Sequence, residues 1–379
     1  MSMKILIIHA SAGAGHTKAA EALFQGIKKR LHAQFLEAPP GAQRTPLDFE
    51  VRLIDALDYT SPLYKAFYQK SYALMVTKCP AVWGFFFNLA DLKILRGFVK
   101  VFRRCFNGLN THRFLRYLKN GNFDYVISTH FFPNEVLAHL KREKIISSRI
   151  ICVITDFGVH SIWVEEAIER YAVACEITQK MLRKLGVPGE KIVVTGIPTS
   201  EKFSQKRDKV ALRRKLGLRE DLFTVLVATG SFGLGPIEKI ASALKDFQVI
   251  VVCGHNRKLF ERLAQRRAPT LQVYGLVRNM DELMAVSDAM LTKAGGLSIS
   301  EALINRLPLI FFNPIPGQET GNIRVLKEYG IGLSDCTIPQ MVEALQALRS
   351  STDSLCLAQE KTQILAKPQA ASDIIALIL

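Results

Sequence analysis

Short runs of β-branched and other apolar residues alternate along the chain with longer segments in which apolar residues recur every three or four positions. This alternation is typical of βαβ units built around a parallel sheet. The pattern predicts strands at residues 4–9, 50–54, 125–129, 150–155 and 192–195, and a second series at 224–228, 249–253, 271–274, 289–291 and 309–312. We therefore expect an α/β protein with two doubly wound, Rossmann-like domains.

A break in the strand pattern near residue 200 predicts the domain boundary. Gly196, Ile197 and Pro198 interrupt the pattern, and the charged stretch 201–214 follows them. We assign residues 1–199 to the first domain and 200–379 to the second, and leave open whether the last helix packs back onto the first. Ligands of open α/β sheets bind beyond the carboxyl ends of the strands, so the two sheets predict a site in a cleft between the domains.

The formal net charge of +16 implies an anionic partner: nucleic acid, an anionic bilayer or a phosphate-bearing substrate. The sequence contains no zinc finger, RNP-like aromatic motif or basic heptad region, so we do not expect nucleic acid. Seven cysteines without a C-x-x-C pair argue against a disulfide framework or a structural zinc, and favour a reducing cytosol.

The first ten residues lack the cationic, apolar and small-residue blocks of a signal peptide, so we do not expect secretion. The most apolar stretches, such as 81–90 and 151–154, are shorter than the roughly 18 residues that a membrane-spanning helix needs. We therefore expect a cytoplasmic protein whose contact with the inner face of the cell membrane is peripheral.

A glycine turn follows the first predicted strand. It contains Gly13 and Gly15 and ends in His16, at the start of a helix-forming run at 17–30. At a helix N-terminus the macrodipole disfavours protonated imidazole, so His16 is a candidate general base. The alternative is a turn shaped by glycine with a polar first-turn residue. Lys18 occupies the third glycine position of the dinucleotide fingerprint, and no P-loop lysine follows, which weakens NAD and ATP readings.

Residues 92–120 contain eight Lys or Arg residues and no Asp or Glu. At helical spacing the basic residues share one face and apolar residues share the opposite one. We identify a basic amphipathic helix for docking on anionic lipid, supported by the aromatic residues that precede it. The alternative is a solvated basic face over an ordinary core. The candidate membrane residues are Trp83, Phe86, Arg96, Lys100, Arg103 and Arg104.

Polar residues follow the predicted strand at 150–155. Asp156 could orient a base or bind acceptor hydroxyls, and His160 and Trp163 could contact the acceptor, because ligand-contacting side chains collect at the carboxyl ends of strands. In the alternative interpretation Asp156 caps a helix and Trp163 belongs to the core.

A second glycine turn, with Gly230 and Ser231, precedes a helix whose N-terminus could receive a pyrophosphate. No D-x-D motif for a metal occurs in the chain. We therefore expect helix dipoles and cations to meet the charge of a departing nucleoside diphosphate, with neither a metal nor a cofactor required.

Two polar loops at 292–301 and 313–322 carry the strongest signal. A glycine turn can seat a diphosphate, a glutamate on the next helix can hold ribose hydroxyls, and Gln318 with Glu319 can hydrogen-bond a hexose. A nucleotide-sugar pocket accounts for the whole set. The candidate donor residues, beside those of the second glycine turn, are Lys293, Gly295, Gly296, Ser298, Glu301, Pro316, Gly317, Gln318, Glu319 and Asn322.

These motifs resemble those of GT-B glycosyltransferases, in particular the group of monogalactosyldiacylglycerol synthases and processive diacylglycerol glucosyltransferases. The peptidoglycan N-acetylglucosaminyltransferase is a more distant relative. The matching segments are the glycine turn ending in His16, the T-D-F segment with its later His and Trp at 155–163, the K-x-G-G-x-[ST]-x-x-E helix at 293–301 and the P-G-Q-E-x-x-N loop at 316–322. The turn departs from the all-glycine turn of plant galactolipid synthases, so the bacterial glucosyl branch is closer.

The resemblance implies an inverting transferase that moves glucose or galactose from a UDP-sugar to diacylglycerol. His16 would deprotonate the acceptor with support from Asp156. One rival is transfer of N-acetylglucosamine to a polyprenyl-linked cell-wall precursor. A rival of another class is a non-enzymatic basic protein that binds anionic membranes or nucleic acid.

Overall fold

The computed structural model describes residues 3–36, 49–92, 94–95, 97, 101, 107–108, 110–266 and 268–378. The chain divides into two compact units. Unit 1 comprises Met1–Ser200 together with Gln369–Leu379, and unit 2 comprises Glu201–Pro368.

Unit 1 is built on a parallel sheet of six strands in the order β2-β1-β3-β4-β5-β6. Helices connect most of the strands, as parallel pairing requires. Its elements up to residue 200 are β1 (Met3–His9), α1 (Ala14–Leu36), β2 (Phe49–Asp55), α2 (Pro62–Lys78), α3 (Pro80–Ala90), α4 (His112–Gly121), β3 (Tyr125–Ser128), α5 (Phe131–Arg142), β4 (Arg149–Val153), β5 (Arg170–Val173), α6 (Glu176–Lys184) and β6 (Ile192–Val194).

Unit 2 is built on a parallel sheet of five strands in the order β11-β10-β7-β8-β9. Its elements are α7 (Lys209–Lys215), β7 (Thr224–Ala228), α8 (Ile237–Ala243), β8 (Gln248–Val252), α9 (Arg257–Ala264), β9 (Leu271–Tyr274), α10 (Met280–Val286), β10 (Ala289–Thr292), α11 (Gly296–Ile304), β11 (Leu309–Phe311), α12 (Gln318–Glu328), α13 (Ile338–Ser350) and α14 (Thr352–Gln363). The last helix, α15 (Ala370–Ile375), belongs to unit 1.

The central strands are apolar on both faces because helices cover both sides of each sheet. In β1 the four residues from Ile5 to Ile8 are fully buried. Leu6 and Ile8 pack into one core, while Ile5 and Ile7 pack into another that includes side chains of α1 and α15. Alternate side chains of one strand therefore serve two cores.

Each sheet contains a point at which the strand order reverses. The chain builds outward from β1, placing β2 on one side and β3 on the other, and outward from β7, placing β8 on one side and β10 on the other. At such a point the loops after two neighbouring strands diverge and leave a crevice beyond the carboxyl ends. The carboxyl ends of β1 and β3 in unit 1, and of β7 and β10 in unit 2, are therefore the places where each unit can hold a ligand.

The two-domain Rossmann-like fold that the sequence predicts is confirmed. Every strand predicted from the sequence is present with its ends within two residues of the predicted ones. The sequence analysis missed β5, which has four residues, begins with the exposed Arg170 and follows the charged pair Glu165 and Glu166. Its three buried residues pair with β4 and β6, a tertiary contact that compensates for the weak local pattern.

Candidate active site

His16 lies in the first turn of α1, just beyond the carboxyl end of β1. Its Nδ1 is 2.8 Å from the carbonyl oxygen of Thr129 and 2.8 Å from Oγ1 of Thr155. A carbonyl oxygen can only accept a hydrogen bond, so Nδ1 must carry the proton of the neutral ring. Nε2 then keeps its lone pair, and His16 is held in the tautomer that a general base requires.

Thr129 supports the backbone of His16 as well as its ring. The Thr129 hydroxyl donates to the His16 carbonyl at 2.9 Å, and the Thr129 N–H donates to the carbonyl of Ile8 at 3.0 Å. Thr129 follows β3, which pairs with β1, and Thr155 follows β4, which pairs with β3. Because the carboxyl ends of parallel strands meet at one edge, three distant sequence positions converge on one imidazole.

The electrostatic surroundings keep His16 neutral. Burial lowers the pKa of the ring, the negative charge of Asp156 raises it, the hydrogen bond with Thr129 raises it, and His9 lowers it. Burial is the largest of these effects, so the net pKa lies below its ordinary value. Asp156 is itself buried and contributes as a nearby charge, whereas Thr129 and Thr155 make the contacts to Nδ1.

Aromatic rings form the wall around His16. The His130 ring meets it edge to face with centroids 4.5 Å apart, and the Trp163 ring lies 6.2 Å away. His130 is buried, and its Nδ1 accepts the N–H of Phe132 at 3.0 Å, which places its own ring proton on Nε2. Such a wall excludes water from one side of the base.

His160, predicted to contact the acceptor, has both ring nitrogens hydrogen-bonded within the protein. Nδ1 accepts the N–H of Ile162 at 3.0 Å, so Nε2 carries the proton and donates to the carbonyl of Phe87 at 2.9 Å. The side chain is buried. These bonds give His160 a structural role, and its contact with the acceptor stays a prediction. Trp163 is also buried, but lies close to His16.

The glycines of the first turn differ in their backbone requirement. Gly13 has φ of +145°, a value that L side chains rarely adopt, and it immediately precedes α1. Gly15 lies within the first turn of α1 beside His16. Gly13 therefore allows the chain to enter the helix at the angle that carries His16 toward Thr129 and Thr155.

Helices α2 and α3 carry exposed apolar side chains. Phe85 and Phe86 are 63% and 56% exposed, and Leu63 at the start of α2 is 84% exposed. Trp83 instead packs against Tyr72 and Phe87, with ring centroids 5.4 and 6.0 Å apart. Arg96, Lys100, Arg103 and Arg104 lie outside the described residues.

Over the described part of the chain, none of the helices alone combines the length and apolar character of a membrane span. Helices α2 and α3 meet the test of length and composition only as a pair, and that pair is bent by 114°. Their apolar side chains are consequently presented in two directions rather than along one continuous span.

In unit 2, Lys293 follows β10 and lies against the glycine turn that follows β7. Its Nζ is 2.8 Å from Oε1 of Glu319, and a Cβ added to Gly230 would stand 3.2 Å from its Cε. Gly230 has φ of +71°, which further favours glycine at this position. The strands β7 and β10 pair directly, so the strand reversal brings the two loops together.

Glu319 and Asn322 connect the two loops rather than extending into solvent. Glu319 is buried, and its Oε2 accepts the N–H of Ile315 at 2.8 Å while Oε1 faces Lys293. Asn322 is completely buried and donates from Nδ2 to the carbonyl of Ala294 at 2.9 Å. These contacts give Asn322 a structural role in joining the loops, and its contact with the donor stays a prediction. Glu319 is held by Lys293 and Ile315, and its hydrogen bond with a hexose stays a prediction.

The N-terminus of α11 lies beside this ion pair. Gly295 is its N-cap, and a Cβ added to Gly295 would stand 3.8 Å from Oε1 of Glu319. The first N–H groups of a helix have no acceptor within the helix, so those from Gly296 to Ser298 can face an anion. Ser298 and Glu301 are half-buried on the same helix. Lys293 and these amides together form a site suited to a diphosphate.

The remaining predicted donor residues lie on the adjoining turns. Gly317 has φ of +84° and precedes α12, and its N–H donates to Oγ1 of Thr320 at 2.9 Å. Pro316 and Gln318 flank it and are half-buried. In the second glycine turn, which follows β7, the Ser231 carbonyl accepts the N–H of His255 at 2.8 Å, and this bond joins the loops after β7 and β8.

Thr129 and His130, which surround the candidate base, were not singled out from the sequence, and Thr155 appears there only as the first residue of the T-D-F segment, without a role of its own. The available signal was the polar sequence Ser-Thr-His at 128–130, which directly follows the apolar residues of β3. Polar residues at the carboxyl end of a strand that neighbours β1 are candidates for the same edge of the sheet. Identifying them required the strand order.

Two family models match consecutive parts of the chain. The monogalactosyldiacylglycerol (MGDG) synthase model matches residues 16–199, and the model of the glycosyltransferase family 28 C-terminal domain matches residues 224–374. A processive diacylglycerol beta-glucosyltransferase of Bacillus cereus (strain ATCC 10987 / NRS 248) is 29% identical over 99% of this chain and 93% of that protein.

Solved structures share the fold. MurG of Acinetobacter baumannii superposes with a TM-score of 0.60 at 15% identity, covering 99% of both chains. Alr3699/HepE of Anabaena, solved in complex with UDP-glucose, superposes with a TM-score of 0.55 at 12% identity and also covers 99% of both chains. At these identities the superpositions establish the GT-B fold alone.

Proposed function

Since the chain belongs to the GT-B glycosyltransferases of the monogalactosyldiacylglycerol synthase and processive diacylglycerol glucosyltransferase family, we propose that it transfers a hexose from a UDP-sugar to diacylglycerol. The product is a glycosyldiacylglycerol. One observation carries the catalytic part: Nδ1 of His16 is fixed by the Thr129 carbonyl, which leaves Nε2 free to accept a proton.

His16 serves as the general base for a single displacement. Nε2 takes the proton of the acceptor hydroxyl while that oxygen attacks the anomeric carbon of the sugar. The bond between the anomeric carbon and the diphosphate oxygen breaks, and its electron pair leaves with UDP. One base and one displacement invert the anomeric configuration without a covalent enzyme intermediate. The buried negative charge of Asp156 stabilises the imidazolium that forms.

Lys293 and the first turn of α11 meet the charge of the departing UDP. The ammonium of Lys293 lies against Gly230, and the amides from Gly296 onward lie beside it. Preorganised donors of this kind stabilise charge that develops in the transition state. We propose that they supply the stabilisation without a metal. Transfer in excess EDTA should match transfer in Mg²⁺, and a strict metal requirement would contradict this part.

The lipid acceptor is supported by the exposed apolar residues of α2 and α3 and by the net charge of +16. Aromatic side chains favour the boundary between headgroups and acyl chains, and a positive protein is attracted to anionic lipid. We propose that unit 1 docks peripherally on the inner face of the cell membrane. Glucose fits the name of the bacterial relatives, and galactose is the alternative donor sugar.

The decisive test incubates the purified protein with labelled UDP-glucose, UDP-galactose or UDP-N-acetylglucosamine and micelles that contain diacylglycerol. Lipid products are then separated. We expect a glycosyldiacylglycerol from one or both hexose donors. No lipid product from any donor would refute the proposal. Transfer only from UDP-N-acetylglucosamine, and only to a polyprenyl-linked acceptor, would instead support the cell-wall alternative.

A further inference from the structure

The C-terminal end of α3 is tied to the loop that follows β4. Helix α3 ends with Asp91 as its C-cap. The carbonyl of Phe87 belongs to the last four of the helix, which have no partner within an α-helix. The N–H of Asp91 turns instead to the carbonyls of Asn88 and Leu89. The Phe87 carbonyl receives its hydrogen bond from His160, at 2.9 Å.

His160 is fixed from two directions by this bond. Its Nδ1 accepts the N–H of Ile162 at 3.0 Å, which sets the tautomer and makes Nε2 the donor to Phe87. Its ring also packs on the Phe87 ring with centroids 4.3 Å apart. The residue therefore caps α3 and at the same time begins the 3-10 turn Ser161–Trp163.

Asp91 makes a second link between the same two elements. Its Oδ1 accepts the N–H of Ser161 at 3.1 Å. A carboxylate at the C-terminus of a helix is disfavoured by the helix macrodipole, so helix stability does not explain an aspartate there. The charge-assisted hydrogen bond to Ser161 gives the residue a reason to be acidic.

The turn held in this way carries Trp163 to the base. The Trp163 ring is buried and lies 6.2 Å from the ring of His16 and 6.5 Å from that of His130. A shift of the turn would move this wall and open the side of His16 that it covers. The position of α3, whose outer face exposes Phe85 and Phe86, is therefore linked to the surroundings of the base.

We propose that Asp91 and His160 are positioning residues that hold the Ser161–Trp163 turn beside His16 from the end of α3. The inference rests on the proposed function, since it assigns these residues to the acceptor half of the transfer reaction. It predicts that loss of either link lowers kcat with little change in the KM for the UDP-sugar, because the donor loops belong to unit 2.

The test compares Asp91→Ala with Asp91→Asn, which keeps an oxygen able to accept from Ser161. Kinetics are measured on the otherwise unchanged chain. For fluorescence alone, both substitutions are also made in a Trp83→Phe background, where Trp163 is the only tryptophan of the chain. Glycolipid formation gives kcat and KM, and quenching of Trp163 fluorescence by acrylamide reports the turn. We expect Asp91→Ala to lose about tenfold in kcat, the size of one hydrogen bond to a charged group, and to expose Trp163. Asp91→Asn should keep most of the kcat and most of the protection of Trp163 from acrylamide.

Unchanged kcat and quenching in Asp91→Ala would overturn the inference, as would an equal loss in both variants. If Asp91→Ala does not fold, His160→Ala and His160→Gln carry the same comparison, because glutamine offers both a donor and an acceptor. Failure of the proposed function is distinguishable, since the unsubstituted protein would then make no glycolipid from any donor, while the fluorescence of Trp163 in the Trp83→Phe chains would remain measurable.

Discussion

The two glycine turns, one after β1 and one after β7, occupy the same place in their sheets, but one contains a neutral imidazole and the other receives a positive charge. Both precede a helix and lie where the strand order reverses. The first contains an imidazole that burial keeps neutral, and carbonyl, hydroxyl and aromatic groups surround it. The second contains no ionisable side chain between Thr229 and Pro236 and instead receives a cation, Lys293, from the loop after β10.

The difference follows from what each turn is proposed to handle. A base that removes a proton must be neutral at the start, so a buried site is suitable in which Asp156 is the carboxylate, among the described residues, whose charge acts on the imidazole. A turn that receives a diphosphate needs donors and positive charge, and glycine lets the backbone approach the anion closely. The residues that follow the neighbouring strands therefore decide whether a turn at this position of the fold suits a base or a diphosphate.

Replacement of the neutral base should give the largest effect. We expect His16→Ala to lower kcat by roughly 10²- to 10⁴-fold, the usual contribution of a general base, while UDP binds with nearly unchanged affinity. Turnover measured with the preferred donor and calorimetric titration with UDP test both halves. His139→Ala, at an exposed position on α5, is the matched control and should remain active. Full turnover in His16→Ala would eliminate the first turn as the catalytic one.

Removal of the cation beside the second turn should have the opposite effect from loss of the base: it should mainly weaken binding of the donor. We expect Lys293→Met to weaken UDP binding by about 10- to 100-fold, as for one hydrogen bond between charged groups, and to leave uridine binding unchanged. It should also lower thermal stability, because Glu319 would remain buried without its partner.

The double variant Lys293→Met with Glu319→Gln separates the two effects of the ion pair. It removes the unpaired carboxylate, so we expect it to regain stability without regaining UDP affinity. Lys361→Met, at an exposed position in α14, controls for loss of a positive charge in unit 2. Recovery of UDP affinity in the double variant would mean that Lys293 serves structure alone.

The sequence revealed the second region more completely than the first for a physical reason. Lys293, Gly295 and Glu319 belong to two loops separated by one helix and one strand, so their order in the chain nearly reports their proximity. The strand pattern also predicted the fold, since short apolar runs mark buried parallel strands.

The first region depends on contacts that only the strand order creates. Thr129 and Thr155 reach His16 across 113 and 139 residues, and neither has a local pattern that indicates such a contact. The burial of Glu319 and Asn322 was not predicted, for a similar reason. A polar residue in a loop motif reads as exposed, and its burial appears only when the loops pack together.

The pH dependence of kcat/KM distinguishes a neutral base from a cation. Replacement of Asp156 should shift the pH at which activity appears. The carboxylate raises the pKa of His16, so Asp156→Asn should lower that pKa further. Activity appears as pH rises through the pKa of the base, and the acid limb should therefore move to lower pH. The plateau should fall several-fold, because the imidazolium loses a stabilising charge. An acid limb that stays in place or moves upward would exclude Asp156 as the charge acting on His16.

The smallest predicted effect concerns the hydroxyl of Thr155. Thr155→Val keeps the shape of the side chain and removes the group 2.8 Å from Nδ1 of His16, while the Thr129 carbonyl remains to hold the tautomer. We expect kcat to fall by roughly 2- to 10-fold, the value of one neutral hydrogen bond, with UDP affinity unchanged. Thr195→Val, at a similarly buried threonine after β6, is the matched control. A loss as large as that of His16→Ala would mean that the carbonyl alone cannot fix the ring, and that the two threonines act together.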